Sequence, residues 1–205
     1  MKKITLFIIL SFFTLNAYSQ SFEELENLSN SGDALSSMKL GLIYEKGLIR
    51  KKKDLDKAKI YYTKATEKNI KQAYSRLGDI EYSQGNLKEA IEYFEKGVKL
   101  NDASSKAYLG RHYFNIGDFY KATEFLKSSS IDGIPMAQFY LSKIYENGKI
   151  GAKNVVYAHA WMTISARNNK DATKELNRME TRMNASQIRA SNNISNTFIK
   201  KYFDK

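Results

Sequence analysis

Leu40, Leu77, Leu109 and Leu141 follow one another at intervals of 37, 32 and 32 residues, in the closely similar stretches MKLGLIYEKG, SRLGDIEYSQG, AYLGRHYFNIG and FYLSKIYENG. A period of this size marks a supersecondary unit that cannot bury its apolar face alone and must stack on copies of itself. Each leucine is followed by Gly41, Gly78, Gly110 or Ser142, a small residue that lets a second helix come close. Four residues past the leucine stand Tyr44, Glu81, Tyr113 and Tyr145, on the same helical face. Gly47, Gly85, Gly117 and Gly148 then mark a turn, where positive φ is needed. Beyond it Ala58, Ala90, Ala122 and Ala158 open a second helix. Aromatics follow about one turn later: Tyr61 and Tyr62, Tyr93 and Phe94, Phe125, and Trp161. Each unit therefore reads as a helix hairpin.

The chain holds one proline and eleven glycines. Charged and apolar residues alternate at helical spacing from about Ser21 onward, with no low-complexity linker, so the whole reads as helical. A short first helix, SFEELENLSN, starts at a capping box of Ser21 and Glu24 and is closed by Gly32.

The sequence of small residue, Leu-Gly, Tyr, Gly, then Ala and an aromatic resembles the tetratricopeptide repeat. The longer first and fourth units resemble its Sel-one-like variant (SLR), with extended loops in GLIRKKKDLDKA and GKIGAKNVVYAHAW. Ala137, Leu141, Tyr145, Gly148, Ala158, Trp161 and Ala166 fall at the family's positions. Ser142 in place of glycine, Glu81 in place of tyrosine, and the short loops of the middle units depart from it. The resemblance implies an all-α fold, a right-handed α-solenoid of stacked antiparallel helix hairpins. Its repeats would cover about 33–69, 70–101, 102–133 and 134–169. The segment 170–203 resembles the tail that closes such proteins. It reads as a helix from Asp171 to about Met183, then a second capped by Asn184 with Gln187 at the third position.

The first 19 residues have a different character. MKKITLFIILSFFTLNAYSQ joins two lysines, an apolar run from Ile4 to Leu15, and small residues at Ala17 and Ser19, the parts of a secretory signal peptide. That run is short against the roughly 20 residues a bilayer span takes. Cleavage after Ser19 would leave 186 residues as one solenoid domain, 20–205, soluble and periplasmic or secreted. No cysteine is present, which excludes a lipobox, a disulfide framework, a thiol nucleophile and thiolate metal sites. Loss of Lys2 and Lys3 takes the basic residues from 33 to 31 against 22 acidic, a net charge of about +9. That balance favours anionic neighbours, although an exported chain is not expected to work on nucleic acid.

Candidate chemistry is sparse. His112 falls three residues past Leu109, where the other units carry Ile43, Ile80 and Ile144, so it reads as a packed imidazole. His159 has Thr163, not a ligand, at i+4, which removes a helical metal pair. Glu89, Glu92 and Glu95 beside Lys88 and Lys96 read as a solvated face. No catalytic residue, metal or cofactor is expected. A wall hydrolase would need a histidine within hydrogen-bond reach of a carboxylate in a cleft.

Surfaces carry more. In the resembled fold the first helices line the concave face, and positions two before and two, five and six after the repeat leucine point into it. The resemblance thus implies a peptide groove formed by Ser75, Asp79 and Tyr82, by Ala107, Arg111, Phe114 and Asn115, and by Phe139, Lys143, Glu146 and Asn147. Aromatics with an arginine, a lysine and asparagines suit a held peptide. The expected function is a non-catalytic exported adaptor for a protein or peptide. The alternative is a binder of anionic envelope polysaccharide or lipid headgroups through Arg50, Lys51, Lys52 and Lys53, with steep salt dependence.

Overall fold

The computed structural model describes residues 22–204. The expected leader and its cleavage site, and Ser21 of the first capping box, lie outside the described residues. The described chain is helical, and it divides into two compact units, Met1–Ala90 and Ile91–Lys205.

The first unit holds α1 (22–30), α2 (Ala34–Lys46), α3 (Leu55–Thr66), α4 (Lys71–Ser83) and the opening residues of α5 (Leu87–Lys99). Short acidic residues start α2 and α3: Asp33 accepts from the Ser36 N–H at 2.7 Å and Asp54 from the Lys57 N–H at 2.9 Å, satisfying amides that the first turn leaves open. α2 and α3 form a hairpin whose spacing Gly41 sets. A Cβ there would lie 2.5 Å from the Tyr62 ring, so the wholly buried Tyr62 packs on bare α2 backbone. Leu40, Ala58, Ala65, Ala73, Leu77 and Ile80 complete this core.

The second unit holds the rest of α5, then α6 (Ala103–Asn115), α7 (Phe119–Ile131), α8 (Pro135–Asn147), α9 (Val155–Ala166), α10 (Lys170–Glu180) and α11 (Ala185–Phe198), ending in a π turn (Ile199–Phe203). Its hairpins use the same device. A Cβ on Gly110 would meet the Leu126 side chain at 2.6 Å. Where Ser142 replaces glycine, its hydroxyl turns inward and donates to the Ala158 carbonyl at 2.6 Å. Each hairpin is also tied at its base, Ser129 Oγ donating to the Ala103 carbonyl and Ser165 Oγ to that of Pro135, both at 2.7 Å. Two core clusters result, one around Leu126, Leu141 and Trp161, the other of Ala158, Met162, Ala172 and Met179.

The second cluster is completed from α10, so the tail covers apolar surface that the last hairpin would otherwise expose. α10 begins one residue earlier and ends three earlier than the sequence suggests, capped by Asn169. α11 starts with the expected capping box of Asn184 and Gln187. Its Phe198 lies 4.9 Å from Trp161, and after the π turn Phe203 reaches the Gly133 turn.

The extended loops of the first and fourth repeats share one construction. Gly47 and Gly148 take φ of 67° and 63°. The next amide, Leu48 or Lys149, donates to the carbonyl of Ile43 or Ile144 at 2.9 or 3.2 Å, closing the helix end. The residue that caps the second helix, Asp54 or Asn154, donates its own N–H to the Tyr44 or Tyr145 carbonyl at 2.9 or 3.0 Å.

Candidate functional site

Because side chains three and four apart share a helix face, α6 presents Arg111, Phe114 and Asn115 together. Phe114 meets the Phe119 ring at 5.5 Å and the Tyr140 ring of α8 at 5.1 Å, both edge to face. This half-buried aromatic knot rests on the Leu126–Leu141 core. The Arg111 guanidinium lies 5.0 Å from the Tyr108 ring centre, while Asn115 stands exposed at the helix end. On α8, Phe139 is edge-on to Tyr140 at 5.4 Å. Asn147 is exposed and donates to the Lys143 carbonyl at 3.0 Å.

Lys143 and Glu146 make contacts that the sequence did not reveal. Lys143 pairs with Glu175 at 3.1 Å, and Arg178 bridges Glu175 and Glu146 at 2.6 Å each. Lys143 also reaches Glu146 at 3.6 Å, so four charges close a ring between α8 and α10. The hydrogen bond from Arg178, then that from Lys143, hold the Glu175 carboxyl below its usual value although burial opposes them. The same contacts, with Glu175 foremost, push the Arg178 guanidinium up.

Two of the expected groove residues belong instead to the interior. Ala107 is fully buried in the second unit's core, and Ser75 is buried with its hydroxyl donating to the Gln72 carbonyl. Position two before the leucine lies on the packed side, and even the larger Phe139 is half-buried there, packed against the second cluster. In the first unit Asp79 and Tyr82 are half-buried. There Glu45, equivalent in repeat position to Glu146, accepts from Tyr62 at 2.5 Å and pairs with Arg76 of α4 at 3.5 Å. Burial alone would raise the Glu45 carboxyl, but bonds from Lys46 and Tyr62 and the Arg76 charge bring it below its ordinary value. Burial, then the bond to Glu45, push the Tyr62 phenol up.

The basic loop is ordered by the ties described above. Arg50, Lys52 and Lys53 are exposed, whereas Lys51 folds back with its ammonium 4.0 Å above the Phe22 ring. Ile49 and Arg50 both take positive φ, 51° and 58°, which costs a side-chain-bearing residue about 1–2 kcal/mol.

The histidines separate. His112 is half-buried against Tyr113, less enclosed than the isoleucines of its register. His159, only 1% exposed, places Nδ1 2.7 Å from Ser191 Oγ and Nε2 3.3 Å from Glu180 Oε1. Serine, histidine and glutamate in a row invite a hydrolase reading, and the carboxylate is within reach. But Ser191 is fully buried. No substrate carbonyl can approach a hydroxyl sealed between helices, so the chain of bonds ties α9 to α10 and α11. Among the described residues no group of His, Asp or Glu is placed to hold a metal ion, and no helix is long and apolar enough to cross a membrane.

The Sel1 repeat model matches residues 34–70 and 135–170, the two long-loop hairpins, and the tetratricopeptide repeat model matches 72–102. The chain is a helical-repeat protein of the Sel1/tetratricopeptide type, an all-α solenoid of stacked helix hairpins. It is 29% identical over 119 residues to the sel1-like repeat-containing protein L21 of Acanthamoeba polyphaga mimivirus, covering 57% of this chain and 22% of that one. It is 35% identical over 85 residues to chitin synthase regulatory factor 4 of Schizosaccharomyces pombe, covering 42% and 12%. The chain thus spans less than a quarter of the length of these relatives. Among solved structures it is similar to c5321, a protective antigen of uropathogenic Escherichia coli with an SLR fold. The TM-score is 0.76 at 25% identity, over 88% of this chain and 41% of that one. A Sel1 repeat protein from Oxalobacter formigenes gives 0.67 at 21% over 88% and 79%, a likeness of fold alone.

Proposed function

We propose that the chain is a non-catalytic adaptor that binds an extended segment of another protein across the first-helix face of its repeats, and that it works outside the cytoplasm after losing residues 1–19. The repeat scaffold is capable of protein or peptide binding, and the Ser191–His159 pair that Glu180 completes is buried. One observation carries the reading. At the position five past the repeat leucine, Glu45 and Glu146 are spent on internal pairs with Arg76 and Arg178, whereas the second and third repeats carry aromatics there, Tyr82 and Phe114. Phe114, with Arg111 and Asn115 on the same helix face, offers an apolar anchor beside groups able to bond a peptide backbone. The charge ring of Lys143, Glu146, Glu175 and Arg178 walls this face on its α10 side within the second unit. Phe139 and Asn147 line it, and Asp79 and Tyr82 belong to the corresponding face of the first unit.

The test begins with photo-crosslinking in cells from position 115, followed by identification of the captured protein and binding measurements with purified components. Phe114→Ala is expected to weaken that complex by at least about 30-fold, the scale of an interface anchor. Unchanged affinity in Phe114→Ala and in Arg111→Ala would remove the first-helix face from the interaction.

A further inference from the structure

We infer that the loop joining α2 and α3 is a docking surface for an anionic lipid bilayer, with Leu48 as its apolar anchor. This surface is distinct from the first-helix face. Between Lys46 and Lys57 the chain carries six cations, Lys46, Arg50, Lys51, Lys52, Lys53 and Lys57, against two carboxylates, Asp54 and Asp56. Asp54 is committed to capping α3 through the Lys57 amide. Lys46 pairs with Glu45, Lys51 is folded onto Phe22, and the Lys57 ammonium lies 5.2 Å from the centre of the Tyr44 ring. That leaves Arg50, Lys52 and Lys53 exposed and, among the described residues, outside the ion pairs.

The fold of the loop does not require this charge. The fourth repeat closes its loop through the same two backbone bonds, from Lys149 to Ile144 and from Asn154 to Tyr145, yet between them it carries Ile150, Gly151, Ala152 and Lys153. The first repeat therefore differs from its own internal copy by a cation run, and also by a leucine where the copy has Lys149. Leu48 is 45% exposed. A hydrated polyanion has no use for an exposed leucine beside the cations. A bilayer does, since basic side chains meet headgroup phosphates while a neighbouring apolar group enters the acyl boundary. The tied backbone holds this arrangement ready, so little order has to be gained on contact.

The experiment sediments the chain from Gln20 onward with vesicles of phosphatidylcholine alone and of equal parts phosphatidylcholine and phosphatidylglycerol. Binding is expected only to the mixed vesicles and is expected to weaken as salt is raised. Replacing Arg50, Lys52 and Lys53 together by serine is expected to lower the partition on the order of 100-fold, at roughly fivefold per cation. Leu48→Ser is expected to lower it several-fold while leaving binding to a soluble polyanion, dextran sulfate or polyglutamate, untouched. The proposal is overturned if the triple variant sediments like the parent, or if Leu48→Ser leaves vesicle binding unchanged. The latter result with tight polyanion binding would assign the loop to an acidic polymer or protein instead. Because these side chains are exposed, the variants should keep the parent's helical spectrum and melting point. The charge reversal of Lys52 and Lys53 to glutamate gives a second variant in which vesicle binding should vanish.

Discussion

A single missing carbon atom governs how closely the hairpins pack. At Gly110 an added Cβ would sit 2.6 Å from two carbons of Leu126, which is itself fully buried. Gly110→Ala must therefore push α6 and α7 apart, and is expected to destabilise the protein by about 1–3 kcal/mol, the usual cost of overpacking. Chemical denaturation would read the loss, and an unchanged midpoint would contradict this packing. These glycines were legible because they recur at one register, and so was Ser142 as a small residue, though not its bond to the Ala158 carbonyl. His159 shows where the reading ended. Its partners Ser191 and Glu180 lie in the tail, which has no sister copy within the chain to align against, and they meet it only through tertiary packing. Ala107 and Ser75 show a different failure, since both are buried and a register position borrowed from a resembled family does not fix which way a side chain packs.

Helix ends were more readable than helix faces. Asn184 before α11 and the glycines that close α2 and α8 act within one turn, so they announce themselves locally. The ion pairs between successive first helices do not, because charge on a helix surface usually just meets water. Glu45 and Glu175 both have depressed carboxyl values in the folded protein. A depressed folded value means that the stabilisation is present above the unfolded value, near 4.5, and is lost as pH falls through the lower folded value. Thermal stability should accordingly stay level from neutrality down to about the ordinary glutamate range and drop below it. In Glu45→Gln the acid-induced fall should be shallower and the neutral stability lower. A variant whose melting point tracks the parent's at every pH would show that the Tyr62–Glu45–Arg76 contacts contribute nothing. Because these groups are partly solvated, the effect should be modest.

For the molecule as a whole, the sequence period and the family resemblance it carries conveyed the fold class, since a solenoid is its repeat applied several times. The function was less legible, because the same scaffold serves many partners and only the face residues differ. Export is the property most directly open to measurement. If residues 1–19 are removed on export, as proposed, protein recovered from the envelope or medium should have Gln20 as its first residue. Recovery of the 205-residue chain from the cytoplasm would overturn the exported reading and, with it, the relevance of envelope partners.

The sequence contains one tryptophan, and it is the residue against which Phe198 of α11 rests. Trp161 is 6% exposed, with Ile164 of the same helix in its cluster and the Phe198 ring laid over it. The protein thus carries its own optical reporter at the seam between repeats and tail. If the tail lifts, water reaches the indole and its emission moves to longer wavelength, while a change confined to the first unit leaves the spectrum alone. Fluorescence from the unlabelled protein can therefore tell detachment of the last helix from a change confined to the first unit.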